Sequence, residues 1–120
     1  MGAMQILVVD DEPAIVQLCI KVLGKLGHEV AGVMDGEEAL SRIAGHPIDL
    51  LVVDYKMPGL NGFEVIRRAR SLNRRLKVVL ITGHGTREVV GEAIDGGVNG
   101  ILVKPFTPDE LTQTITAALS

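Results

Sequence analysis

Tryptophan is absent from the 120 residues, tyrosine and cysteine occur once each, and phenylalanine twice. Cys19 alone cannot close an internal disulfide and offers no paired thiolate for a structural metal. The chain must therefore hold together by packing, and a reducing, cytoplasmic setting suits it. So few aromatic rings leave little to stack on bases or on a flavin. A dominant charge is missing too: 12 basic and 15 acidic residues give a net charge of −3. That balance does not mark a direct nucleic-acid binder. No apolar run approaches the roughly 18 residues of a membrane span, and no secretory signal opens the chain. Met1-Gly2-Ala3 reads as a cloning scar before a natural start at Met4, which leaves residues 4–120 as one domain. At 47% hydrophobic and 22% charged residues, the composition is that of an ordinary soluble globular domain. A chain of this length buries about two thirds of its unfolded surface and needs no covalent staple.

What is present is alternation. Short apolar, β-branched runs at 6–9, 29–33, 50–53, 78–81 and 101–103 predict strands. Segments with apolar residues every three or four positions at 14–26, 37–44, 63–71, 87–95 and 108–119 predict helices. Four of the five strands are nearly all apolar and read as central parallel strands buried on both faces. The second, with Glu29 and Gly32, reads as an edge. The first helix carries an apolar stripe at Val16, Cys19, Ile20, Leu23 and Leu26, with Gly27 placed to end it. Thr107, Pro108 and Glu110 spell a capped start for the last helix, which buries Leu111, Ile115 and Leu119. Gly91 makes the fourth helix the weakest and the most mobile. Five βα units with right-handed crossovers give an open, doubly wound sheet, a class that binds ligands beyond the carboxyl ends of its strands.

Polar residues stand at those ends. Asp10 and Asp11 follow the first strand, Asp54 follows the third, Thr82 closes the fourth and Lys104 follows the fifth. Carboxylates 4 Å apart repel by about 4 kcal/mol per pair at an effective dielectric near 20. Lys104 offsets one charge, and a divalent cation with oxygen ligands offsets two more. Few carboxylates in an open cleft suit Mg²⁺ rather than Ca²⁺, and no Cys or His lies at zinc spacing. A carboxylate beside Mg²⁺, a lysine and a hydroxyl is equipment for phosphoryl transfer, which depends mostly on positioning and charge neutralisation. One carboxylate can be the nucleophile. Singly, each aspartate is also an ordinary helix cap or loop residue.

Four strings carry a family resemblance: Val8-Val9-Asp10-Asp11-Glu12-Pro13, Asp54-Tyr55-Lys56-Met57-Pro58-Gly59-Leu60-Asn61-Gly62, Leu80-Ile81-Thr82-Gly83 and Val103-Lys104-Pro105-Phe106. In this order and at these separations they resemble the receiver domain of two-component response regulators, across essentially residues 5–119. The resemblance implies a flavodoxin-like (βα)5 fold with a five-stranded parallel sheet in the order 2-1-3-4-5. It implies a phosphorylation-dependent switch in a phosphorelay, not an enzyme, that takes a phosphoryl group on Asp54 from a sensor histidine kinase or a histidine phosphotransfer domain. Asp11 would then bind Mg²⁺ directly, Asp10 mainly through water, and the Lys56 backbone carbonyl would complete the set. Lys104 would contact Asp54 at rest and the phosphoryl group afterwards, and Thr82 would turn its hydroxyl onto that group. Lys104-Pro105 matches the family's cis peptide. Ile15, Leu18 and Pro105 fall where receivers dock kinase or phosphotransfer helices.

Two features set the chain apart. Ile101 stands where the family usually has Tyr or Phe, so signalling by ring rotation gives way to loop and helix shifts. Lys56 and His84 occupy positions that the family varies to tune the loss of the phosphoryl group to water. A run of six cations between Arg67 and Lys77, with no acid among them, reads as a solvated helix end. The last helix has Asp109 and Glu110 but no basic residues, so the charged dimer face of some DNA-binding regulators is not expected. A phosphatase would need a further acid–base aspartate just after Asp54, where Tyr55 and Lys56 stand, and a nucleotide carrier would need a glycine loop after the first strand. The remaining competitor is a receiver that docks proteins independently of phosphate. A stand-alone regulator and a receiver cut from a longer regulator or hybrid kinase both fit.

Overall fold

A computed structural model describes residues 2–120; Met1, the first residue of the expected scar, lies outside the described residues. The elements alternate as β1 (Gln5–Val9), α1 (Pro13–Lys25), β2 (Glu29–Val33), α2 (Gly36–Gly45), β3 (Leu50–Asp54), α3 (Gly62–Leu72), β4 (Lys77–Thr82), α4 (Arg87–Asp95), β5 (Gly100–Val103) and α5 (Pro108–Leu119). The five strands form one parallel sheet in the order β2-β1-β3-β4-β5. Every crossover runs through a helix, so the ten elements predicted from periodicity are all present, with boundaries moved by a residue at several ends.

Strand periodicity divides the core into two layers. Leu7, Val9, Leu51, Val53, Val78 and Leu80 face α2, α3 and α4, where they meet Ala39, Ile43, Val65, Ile66, Ala69, Val89 and Ala93. Their neighbours Ile6, Val8, Leu50, Val52, Val79 and Ile81 face α1 and α5, against Val16, Cys19, Leu23, Leu111 and Ile115. Continuous apolar runs in β1, β3 and β4 thus reflect burial on both faces. Cys19 is fully buried, and burial pushes its thiol up to about 12, which leaves it an inert core side chain.

Two expectations need correction. The apolar run of β5 read as a central strand, yet β5 is the second edge strand, where the order 2-1-3-4-5 implied by the resemblance puts it: Ile101 is half-buried and Val103 is 46% exposed. Ile20 in α1 and Leu26 at its C-cap are 38% and 46% exposed, while Ile15 and Val22 pack against the core. The apolar stripe drawn through five residues was too wide for a helix that packs mainly on β2, β1 and α5. Gly27, at φ +93°, does end α1 as predicted.

The predicted cap of the last helix is present, and three more helices start on side-chain caps that the sequence reading had not singled out. Asp35, Asn61, Thr86 and Thr107 each accept a backbone N–H at the start of α2, α3, α4 and α5, with full capping boxes at Asn61/Glu64 and Thr107/Glu110. Within the cationic run, Arg70 is half-buried and engaged rather than simply solvated. Its guanidinium donates to the carbonyls of Gly96 and Gly97, both at 2.9 Å, tying α3 to the turn between α4 and β5. Asn99 Oδ1 accepts from the Val78 backbone N–H at 2.9 Å and fastens the same turn to β4.

Candidate functional site

The sheet builds the site by extending its ladder slightly beyond the strands. Asp10 N–H donates to the Val33 carbonyl at 3.3 Å, Tyr55 N–H to Ile81 at 2.7 Å and Lys104 N–H to Thr82 at 2.8 Å. Neighbouring strand ends are thereby locked level, and Asp10, Asp54, Thr82 and Lys104 share one rim. Asp54 is itself the last residue of β3, one position deeper than the sequence suggested. The loop after it folds back tightly: Gly62 N–H donates to the Tyr55 carbonyl at 2.8 Å, and a Cβ at Gly62 would lie 2.6 Å from the Asp54 carbonyl oxygen. Only glycine permits that approach.

Burial sets the electrostatics. Asp10 and Thr82 are fully buried, Asp54 is 4% exposed, and Asp11 is exposed. One carboxylate oxygen from each of Asp10, Asp11 and Asp54 lies within 4.8 Å of the others. Burial, and then the charges of Asp10 and Asp11, push the Asp54 carboxyl up to about 6 against the opposing pull of Lys104. Burial likewise raises Asp10, partly offset by the Glu12 N–H that donates to its Oδ1 at 2.9 Å. Lys104 Nζ lies 2.8 Å from Glu12 Oε1, 3.1 Å from Asp10 Oδ2 and 3.5 Å from Asp54 Oδ2. Burial pulls the ammonium down, but the carboxylates of Glu12, Asp10 and Asp54 outweigh it and hold it above the usual lysine value.

Asp10 Oδ2 is close to Lys104 yet off the line of a hydrogen bond, so this buried oxygen has no hydrogen-bond partner. An unpartnered carboxylate oxygen beside two further acids is the donor set that a hard divalent cation satisfies. The residues present can hold a metal ion. Above them opens a cleft of about 540 Å³ whose walls include Asp11, Glu12, Asp54, Lys56, His84 and Lys104. A second cleft of about 500 Å³, with Tyr55, Asn61, Thr86 and Val89 in its lining, adjoins it through Lys56, Met57 and His84.

The five rim residues picked from sequence come together as expected, and Lys56 and His84 line the same cleft. Thr82 is already engaged: its hydroxyl accepts from the His84 N–H at 2.9 Å and donates to the His84 carbonyl at 3.3 Å. Ile101 is half-buried against the core layer shared with Tyr55 and Phe63. Ile15 packs on the other layer, near which Phe106 also packs, Leu18 is half-buried and Pro105, after a cis peptide bond, is exposed. Sequence reading assigned no role to Glu12, although it holds the shortest ion pair of the site. Its partner is 92 positions away, beyond the reach of any local pattern.

A doubly wound sheet with a cation-ready acidic cluster, a lysine and a threonine on one rim describes a class of small α/β modules built around a strand-end carboxylate. The family model described as the response regulator receiver domain matches residues 6–116. The chain belongs to that family, whose members are signalling regulators of two-component systems and not classical enzymes. It is 36% identical over 115 residues to the chemotaxis protein CheY of Pseudomonas aeruginosa, covering 93% of both chains. It is also 35% identical to the two-component response regulator PhoP of the same organism, covering 97% of this chain and 52% of PhoP. The chain thus spans about half the length of that relative. A segment amounting to 12% of the Escherichia coli sensor histidine kinase RcsC is 34% identical. Among solved structures, chemotaxis protein CheY4 of Vibrio cholerae superposes with a TM-score of 0.91 at 31% identity, covering 98% of this chain and 99% of that one. Among the described residues no helix is long and apolar enough to cross a membrane.

Proposed function

We propose that residues 4–120 act as one receiver module, a switch in a two-component phosphorelay whose phosphoacceptor is Asp54. The observation that carries this reading is the placement of Asp54 at the end of β3, nearly buried, with an ammonium 3.5 Å away and two further carboxylates beside it. An Asp54 oxygen attacks the phosphorus of a donor phosphohistidine. The new O–P bond forms as the P–N bond breaks, and the bonding pair leaves on the imidazole nitrogen. Asp10, Asp11, Asp54 and the Lys56 carbonyl would hold Mg²⁺, which when bound supplies positive charge against the phosphoryl oxygens.

The chain's own groups do the rest. Lys104 donates to one phosphoryl oxygen. Thr82 surrenders both bonds to His84 and turns its hydroxyl to another, which frees the segment leading into the Thr86 cap of α4. Because Ile101 has no ring to rotate, the signal passes through this loop and α4. The phosphoryl group adds about 1.5 to 2 negative charges and three acceptors, enough to shift a balanced loop. Ile15, Leu18 and Pro105 form the docking side for a sensor histidine kinase or phosphotransfer helix, in the cytoplasm, without direct contact to nucleic acid or membrane.

Incubation with acetyl phosphate, followed by intact mass, tests the reading. A gain of one phosphoryl group that needs Mg²⁺ and is lost in Asp54→Asn supports it. Absence of any adduct, both with this donor and with phosphorylated kinase, overturns it in favour of phosphate-independent docking.

A further inference from the structure

The Lys104 ammonium has three N–H donors and three carboxylates around it, but the three are not equivalent. Asp10 and Asp54 are buried on locked strand ends, whereas the Glu12 side chain is 59% exposed, with Lys104 as its hydrogen-bond partner. Yet Glu12 holds the lysine most closely, at 2.8 Å against 3.5 Å for Asp54. Its position follows from the local chain. Glu12 precedes Pro13, which excludes the helical region and keeps it extended at φ −94°, ψ 109°. As N-cap of α1 it makes no side-chain capping bond, so its carboxylate is available to reach across to the residue after β5.

We infer that Glu12 is a positioning residue, a latch that draws Lys104 away from Asp54 at rest and must release it before the lysine can serve an incoming phosphoryl group. The inference rests on the phosphoacceptor reading of Asp54 and adds a residue that sets its readiness. The latch acts through Lys104 and touches no reacting atom. An exposed carboxylate contact of this kind contributes modestly, so its removal changes the rate by about two- to five-fold.

Two substitutions separate a latch from a mere negative charge at the cleft mouth. Glu12→Ala removes both contact and charge, and costs no cap bond. Glu12→Asp keeps the charge but is one methylene shorter, and its carboxylate can turn to cap α1 instead. For a latch, both variants accept the phosphoryl group from acetyl phosphate faster than the wild-type chain. The gain persists at about 0.5 M salt, where charges more than about 4 Å apart are screened. Crystal structures of the metal-free variants then show Lys104 Nζ closer to Asp54 than the 3.5 Å seen here. If Glu12→Asp behaves as wild type and the gain in Glu12→Ala vanishes with salt, the latch is overturned and Glu12 acts only as bulk charge. Unchanged rates with an unmoved Lys104 overturn it equally. Should the wild-type chain take no phosphoryl group at all, the phosphoacceptor reading fails, while the position of Lys104 in the variant structures still decides the latch.

Discussion

At Asp54 the folded-state pKa of about 6 lies above the ordinary 3.8, so between those two values the metal-free folded chain keeps a proton that the unfolded chain has already released. Its stabilising contribution is complete below about pH 4 and is lost as the pH rises through about 6. Asp10 is shifted in the same direction. The loss at Asp54 is on the order of 2–3 kcal/mol, and Asp54→Asn removes it. In EDTA at pH 8 that variant should melt higher than the wild-type chain, with the difference shrinking towards pH 4 in a series of thermal melts. The residues behind this balance were legible in sequence because each stands where an apolar strand stops: Asp10 after Val9, Asp54 after Val53, Thr82 after Ile81, Lys104 after Val103. Glu12 was not, because its role depends on which distant side chain the fold delivers. The engagement of Thr82 with the His84 backbone was equally hidden, since a hydroxyl leaves no periodic trace.

Among the elements, α4 is anchored unevenly. Val89 and Ala93 are its buried side chains, the Thr86 hydroxyl caps its start, and Arg70 clasps the carbonyls just past its end. Arg70→Ala should loosen that end by about 1–2 kcal/mol. Hydrogen exchange should quicken at Gly97, Val98 and Asn99 while the amides of β1 and β3 stay protected. Arg70 had been read as part of a solvated run, and composition could not separate it from Arg74 or Arg75, which are exposed. Helix and strand identities were readable throughout from period, with caps adding to it at the start of α5 and the end of α1. The errors at Ile20, Leu26 and β5 share one cause: apolar content shows what a residue can tolerate, and neighbours decide whether it is covered.

On the scale of the whole molecule, parallel strands sort charge by end. Asp10, Asp11, Glu12 and Asp54 gather at the carboxyl rim, and Arg74, Arg75 and Lys77 gather where β4 begins, at the opposite rim. A cation that binds the acidic rim of the folded chain alone stabilises it by mass action, by about 2.7 kcal/mol at a hundredfold excess over Kd. The melting temperature should therefore climb with Mg²⁺ concentration, and less so in Asp11→Asn. The scarcity of aromatic rings has its own use here. With no tryptophan, the sole tyrosine, Tyr55, directly follows Asp54, its ring 5.3 Å from that of Phe63 and lining the cleft beside His84. Ultraviolet emission from this chain has a single dominant source, and that source stands at the rim. The protein thus carries a built-in optical probe of its own site, readable without a label.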